Sequence, residues 1–169
     1  MVASCAAGYP VDFGPRGKAE QNAEDWWQAV SAATRELLAR TEVPASSIEA
    51  VSFSGQMMGA VLLDGAGEPV RPAIIWADTR SVTQTEALLE RVGMERGYAI
   101  TGHRLNPIYS LSKVMWVRDR EPDVFDRVTH LVLAKDQIAY RLTGVLATDP
   151  SDASARMRTI NAQDAGRRS

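Results

Sequence analysis

With 169 residues, 45% hydrophobic and 24% charged, the chain is long enough for one buried core and too apolar to be a disordered segment. A formal net charge of -2 offers no basic face for nucleic acid or an anionic membrane. Cys5 stands alone, which rules out an internal disulfide and fits a reducing, cytoplasmic setting, and no apolar run approaches the roughly 20 residues that span a bilayer.

Taken in order, the Met1–Ala7 opening lacks the basic region of a signal peptide. Pro10, Gly14, Pro15 and Gly17 make residues 8–22 an extended piece running into a loop. Asn22 is a helix N-cap, with Glu24 and Asp25 in the first turn where the helix dipole favours acids. Trp26, Val30, Ala33 and Leu37 then recur as one apolar stripe of a helix ending near Arg40. Residues 50–54 read as a strand, and residues 59–76 as a hairpin of two apolar runs joined at Asp64-Gly65-Ala66-Gly67. Asp78 or Ser81 caps a further helix, with Leu88 and Val92 inward and Gly93 as its stop.

After a polar connection, Thr101 to Pro107, a helix from Ser110 presents Leu111, Val114, Met115 and Arg118 on one face. Glu121-Pro122-Asp123 starts another short helix through Phe125. Leu131 to Leu133 is a buried strand, and Asp136 to Thr143 a helix closed by Gly144. Thr148 to Ser154 reads as an Asx- and Ser-rich turn, and Asp164 to Ser169 as a loose tail. The order predicts an α/β domain with helices packed on a mixed sheet.

Self-contained catalytic machinery is missing from this pattern. His103 and His130 lie far apart without Cys or Glu at ligand spacing, and there is no G-x-S-x-G, Walker A or G-x-G-x-x-G segment. Asp149 and Asp152 read as caps of their own turn, and Lys135 as an exposed cation beside a helix start. The chemistry concentrates in Gln56, Met57, Met58, Trp76 and Asp78, with Arg80 behind them. Gln56 can donate to and accept from hydroxyls, Trp76 offers a flat apolar face for the C–H side of a sugar, and Asp78 and Arg80 can orient each other or a ligand. Core packing and a local ion pair account for the same residues, and on the residues alone that structural reading is preferred.

Several stretches together resemble the FGGY family of carbohydrate kinases, in its xylulokinase branch. Residues 20–27, EQNAEDWW, resemble the family's E-Q-D-P-E-x-W-W. Gly55-Gln56-Met57-Met58-Gly59 is similar to G-Q-M-H-G, and residues 71–80, RPAIIWADTR, to R-P-A-I-L-W-N-D-x-R. Residues 100–103 resemble I-T-G-N. Residues 110–117, SLSKVMWV, sit on S/T-x-x-K-L-x-W-V with Glu121-Pro122 following. Lys135-Asp136, residues 141–144 (RLTG) and residues 148–154 (TDPSDAS) complete a match over about residues 8–160.

The resemblance implies a ribonuclease-H-like domain of the actin/hexokinase-type ATPase fold, with sugar and MgATP held between two such domains. It implies transfer of the ATP γ-phosphoryl group to a sugar hydroxyl. The family's Asp-x-Gly-Thr phosphate loop and catalytic aspartate have no counterpart in the 169 residues. Residues 1–163 are therefore expected to be a partial sugar-binding domain, truncated at its N-terminal strands and lacking the ATP-binding domain, and inactive alone. The family's sugar-contacting pair falls on Met57 and Met58 and its contact tryptophan on Trp76. Met58 replaces a histidine, which removes a hydrogen bond to the sugar. Mg²⁺ and ATP are expected only with the complete family protein, and an exposed sheet edge is expected to invite a homodimer. A non-catalytic remnant binding a sugar or partner is the alternative, and a gene fragment without a role of its own is a third.

Overall fold

Two apolar runs organise the molecule by being buried on both faces. The computed structural model describes residues 2–155. Strand β3 (Val61–Leu63) sends Val61 and Leu63 to one side and Leu62 to the other. Strand β4 (Ala73–Ile74) sends Ala73 and the following Ile75 to the first side and Ile74 to the second. A strand covered on both faces needs continuous rather than alternating hydrophobicity, which is what these runs provide.

The first side is filled by α1 (Ala23–Ala39) and α6 (Ala134–Thr143), through Ala23, Trp26 and Ile138. The second is filled by α4 (Ser110–Arg120) and α5 (Pro122–Phe125), through Val117, Val114, Val124 and Phe125. Helices α2 (Val82–Val92) and α3 (Met94–Thr101) extend the second layer, α2 packing on α4. The result is helices on both faces of a small β-layer.

That layer differs from the expected mixed sheet. Strands β1 (Asp12–Gly14), β2 (Lys18–Gln21) and β4 form one sheet, β3 and β5 (His130–Val132) a second, and every pairing among the described residues is antiparallel. Isolated bridges from Ala60 to Ile74 and from Leu63 to Pro69 carry the expected return between β3 and β4. Residues 8–22 hold a hairpin rather than a loop. Its 3-10 turn, Pro15–Gly17, puts Arg16 and Gly17 at positive φ, and the Gly17 carbonyl accepts from the Thr79 amide at 3.0 Å.

Residues 50–54 are not a strand. Their alternation suits a pleat, but no neighbouring segment pairs with them, and Val51 is 69% exposed. Strand formation depends on a partner as much as on pattern.

The helix boundaries follow their caps. Asn22 Oδ1 accepts from the Glu24 amide at 3.0 Å, and Gly144, at φ 72, closes α6 in the left-handed conformation. The faces turn out otherwise. Val30 is exposed, and α1 buries Ala23, Trp26 and Ala29. On α4 the buried set is Ser110, Ser112, Lys113 and Val117, while Arg118 points outward. Leu88 and Val92 are half-buried behind Gln84 and Thr85. Residues 148–154 are no simple turn: α7 (Pro150–Ala155) begins there.

Lys113 is the largest fully buried side chain, and its ammonium donates to the carbonyl oxygens of Pro107 at 2.8 Å and Asp78 at 3.1 Å. Burial is the main cause of a pKa held down at about 8, against an ordinary 10.5, with Asp78 raising it and Arg80 lowering it. Below pH 8 folded and unfolded chains both hold the proton, and the burial penalty is present in full. Between 8 and 10.5 the unfolded chain holds a proton that the folded chain has released, so this residue's contribution to stability rises with pH.

This core generates two predictions. Leu63→Ala, at a wholly buried position, should lower stability by about 2–5 kcal/mol in urea denaturation. Between about pH 8 and 9.5 the wild-type chain should gain roughly 1–2 kcal/mol relative to Lys113→Met. A pH-independent gap between the two would show that Lys113 does not titrate in this window.

Candidate functional site

Short strands fix the two loops that hold the predicted residues. The antiparallel bridge of Ala60 to Ile74 brings Gly59 against Ile74 and Ile75. The approach at Gly59 is close: a Cβ there would lie 3.1 Å from the Ile74 carbonyl oxygen. On the other side Ser110 Oγ donates to the Gly59 carbonyl at 2.6 Å. Met58 is thus held from both sides at φ 63, one of two non-glycine residues with positive φ among those described.

The residues of the expected sugar-facing wall are accessible to different degrees: Met57 is 40% and Trp76 55% exposed, and Met58 is half-buried. Gln56 stands beside it, its Nε2 donating to Gln21 Oε1 at 2.7 Å. Gln21 Oε1 also accepts from Trp26 Nε1 at 3.2 Å, so the amide is oriented from the core.

Asp78 lies beneath the wall rather than on it. Only 1% exposed, it accepts from the Ala19 amide at 2.8 Å, the Arg80 amide at 3.0 Å and Arg80 Nε at 2.9 Å. Arg80 also reaches Glu20, as does Arg71, and both guanidinium groups lie over the Trp116 ring, at 4.2 and 5.7 Å from its centroid. Burial works against the charge on Arg80, yet the hydrogen bonds it donates to Asp78 and Glu20 leave its pKa raised. This carboxylate therefore positions the loop and has no free oxygen to offer a ligand.

Residues without an assigned role in the sequence reading prove central. Gln21 orients Gln56, Glu20 holds two arginines, and Lys113 bonds the Asp78 carbonyl. The adjacent polar pair Glu20-Gln21, buried in a strand, was the available signal. Trp26 is core, and Trp27 lies under Arg141 at 4.7 Å, so neither joins the wall.

Lys135 is not a simple exposed cation. Its Nζ pairs with Asp136 at 2.9 Å, Asp149 at 2.7 Å and Asp152 at 2.6 Å. Burial opposes its charge, but the three carboxylates prevail and raise its pKa. The pair Asp149 and Asp152 does cap its own turn, through the Asp152 amide to Asp149 Oδ1 at 3.1 Å.

Among the described residues no group of three or more His, Cys, Asp or Glu is arranged to hold a metal, and no helix is long and apolar enough to cross a membrane.

The sequence and fold are similar to those of known proteins. The model of the FGGY family of carbohydrate kinases, N-terminal domain, matches residues 1–164. The xylulose kinase of Bacillus subtilis is 37% identical over 157 residues, covering 93% of this chain and 31% of that protein. Among solved structures, one described as a xyloylose kinase from Brucella ovis superposes with a TM-score of 0.87 at 33% identity, over 92% of this chain and 32% of its own. A gluconate kinase from Lactobacillus acidophilus gives 0.82 at 26% identity, over 89% and 30%. The chain thus spans about a third of the length of the relatives it matches, and its fold is that of the actin/hexokinase-like ATPases. On the family match and these likenesses together, the chain belongs to the FGGY family of carbohydrate kinases.

Proposed function

We propose that the chain supplies the sugar-side wall of an ATP-dependent kinase that phosphorylates a hydroxyl of a ketopentose or a related sugar or polyol. The observation carrying this is the positive φ of Met58, next to the clamped Gly59, with Met57 and Trp76 both exposed. Backbone held in a sparsely populated conformation and clamped from both sides suits a site that fixes a ligand's orientation. Gln56 offers its carbonyl oxygen to a sugar hydroxyl while Gln21 fixes the amide, and Met57, Met58 and Trp76 meet the C–H face. Asp78 acts through Arg80 and the loop. The xylulose and gluconate kinases among the relatives support a polyhydroxylated substrate without choosing one.

The residues present do not fit MgATP. No carboxylate set is arranged for a metal among the described residues, and the sequence contains no Asp-x-Gly-Thr. The remaining two-thirds of the relatives' length, which has no counterpart in the 169 residues, would carry nucleotide binding and the catalytic base. In this reading residues 1–163 make the sugar domain; residues 164–169 lie outside the described residues. The 169-residue polypeptide by itself binds sugar and transfers no phosphoryl group, because orientation and charge stabilisation at the γ-phosphate are missing.

A second feature favours self-association. Ile48, Val51 and Phe53 are exposed along a segment without backbone pairing among the described residues, a surface able to pair with its copy. Light scattering on the purified chain should then give a dimer; a monodisperse monomer would remove this reading.

A thermal-shift screen against pentoses, ketoses, polyols and sugar acids tests the main proposal, since a ligand of the folded form raises the melting temperature. A shift with at least one sugar is expected, with no ATP consumed. A cooperative melt that no sugar moves would sink the sugar wall, and ATP-dependent phosphorylation by the pure chain would sink the division of labour. Met58→His, compatible with positive φ and restoring a donor, should tighten D-xylulose binding about tenfold, roughly one additional hydrogen bond.

A further inference from the structure

We propose that the cavity between the β1–β2 turn, Arg80 and the last turn of α4 binds the phosphate group of a small metabolite. Its volume is about 560 Å³, in the range of small-molecule sites, and none of the proposed sugar-facing residues lines it. Arg16, Lys18, Arg80 and Arg120 contribute four cations to the lining, Glu121 the one acid, and Trp116 an aromatic wall.

The charges divide into a fixed floor and a free rim. On the floor, Lys18 pairs with Asp12 at 2.6 Å and Glu20 at 3.6 Å, and Arg80 with Asp78 at 2.7 Å and Glu20. Glu121 is committed to Arg71 Nε at 3.2 Å, so it does not oppose an anion with its full charge. At the rim, Arg16 and Arg120 are exposed and make no ion pair within 4 Å among the described residues, although Arg120 feels the charge of its neighbour Asp119, which is itself paired with Arg118. A guanidinium group presents paired donors that match phosphate oxygens, and two of them on opposite sides suit a dianion.

The bland account is that both are solvated surface cations. It covers Arg120, which sits in the last turn of a helix where the dipole alone favours positive charge. It does not cover Arg16. That residue holds φ 57 and ψ 28, a left-handed conformation that a glycine or asparagine adopts with less strain, at the tip of a three-residue turn. A long cation kept in such a position, with its neighbour Gly17 tied to Thr79, aims a guanidinium at the cavity mouth in spite of the local backbone strain.

Calorimetric titration of the 169-residue chain with inorganic phosphate, ribose 5-phosphate and ribose, at low and moderate salt, tests this. Ribose 5-phosphate should bind and weaken steeply as salt rises. Equal affinity for inorganic phosphate would support the site with free phosphate as its ligand, and tighter binding of the ester would support a phosphorylated metabolite. The double variant Arg16→Gly/Arg120→Gln should weaken binding at least tenfold while still melting cooperatively near wild type, because the left-handed strain relieved by glycine at the turn tip offsets the dipole interaction lost at the end of α4. Absence of binding to either phosphate by the folded wild-type chain, or unchanged affinity in the folded double variant, would overturn the proposal. Failure of the sugar-wall reading leaves this test untouched, since the two sites share no lining residue.

Discussion

The structure depends most on one buried carboxylate. Asp78 receives the Ala19 amide of β2, the Arg80 amide and the Arg80 side chain, while its own carbonyl receives Lys113 from α4. Strand β4 is only two residues long, and its ladder to β2 spans two Cα pairs. Backbone pairing that short cannot by itself fix the loop carrying Trp76. The Asp78 knot does so, joining the β-layer and the loop through its carboxylate and a helix through its carbonyl. Glu20 extends it by taking Arg71 and Arg80 together beneath Trp116. Such a system is costly to break at one member, since the partner left behind is a buried, unpaired charge worth several kcal/mol.

A second knot does the same work just after β5, with the signs reversed. There one ammonium, Lys135 at the start of α6, gathers Asp136, Asp149 and Asp152 and ties the beginning of α7 to α6. Both knots lie where a strand ends and a helix or loop must be aimed. Burial opposes the charge in each, and the opposite charges prevail: Arg80 and Lys135 alike keep raised pKa values. The exception is Lys113, which meets carbonyl dipoles rather than carboxylate oxygens, and there desolvation wins.

What the sequence revealed and what it hid follow from the range of the forces involved. Asn22 as a cap, Gly144 as a stop and the apolar runs of β3 and β4 are local signals, and each was legible. Residues 50–54 carry a good strand pattern, but pairing is a property of two segments, and only one is visible in a pattern. The β1–β2 hairpin was hidden by its own turn residues, Pro15 and Gly17, which read as loop across the whole stretch. On α4 the polar-out rule failed because Ser110 and Lys113 are satisfied inside, one by Gly59 and the other by Asp78 and Pro107. Met57, Met58 and Trp76 were singled out by motif resemblance rather than by any local signal; the burial of Asp78 was not legible, since an Asp–Arg pair looks the same in sequence on a surface or in a core.

Strain is distributed unevenly, and its placement is informative. Among the described residues only Arg16 and Met58 hold positive φ without being glycine. Neither is in a loose loop. Met58 is followed by Gly59, whose missing Cβ lets the Ile74 carbonyl come close and whose own carbonyl is clamped by Ser110. Arg16 is flanked by paired strands and by Gly17, fixed to Thr79. A strained residue persists only where its surroundings over-determine it. Here the restraint comes from hydrogen bonds to glycines one residue away, so the backbone around Arg16 and Met58, rather than a cap made by their own side chains, holds the left-handed conformation.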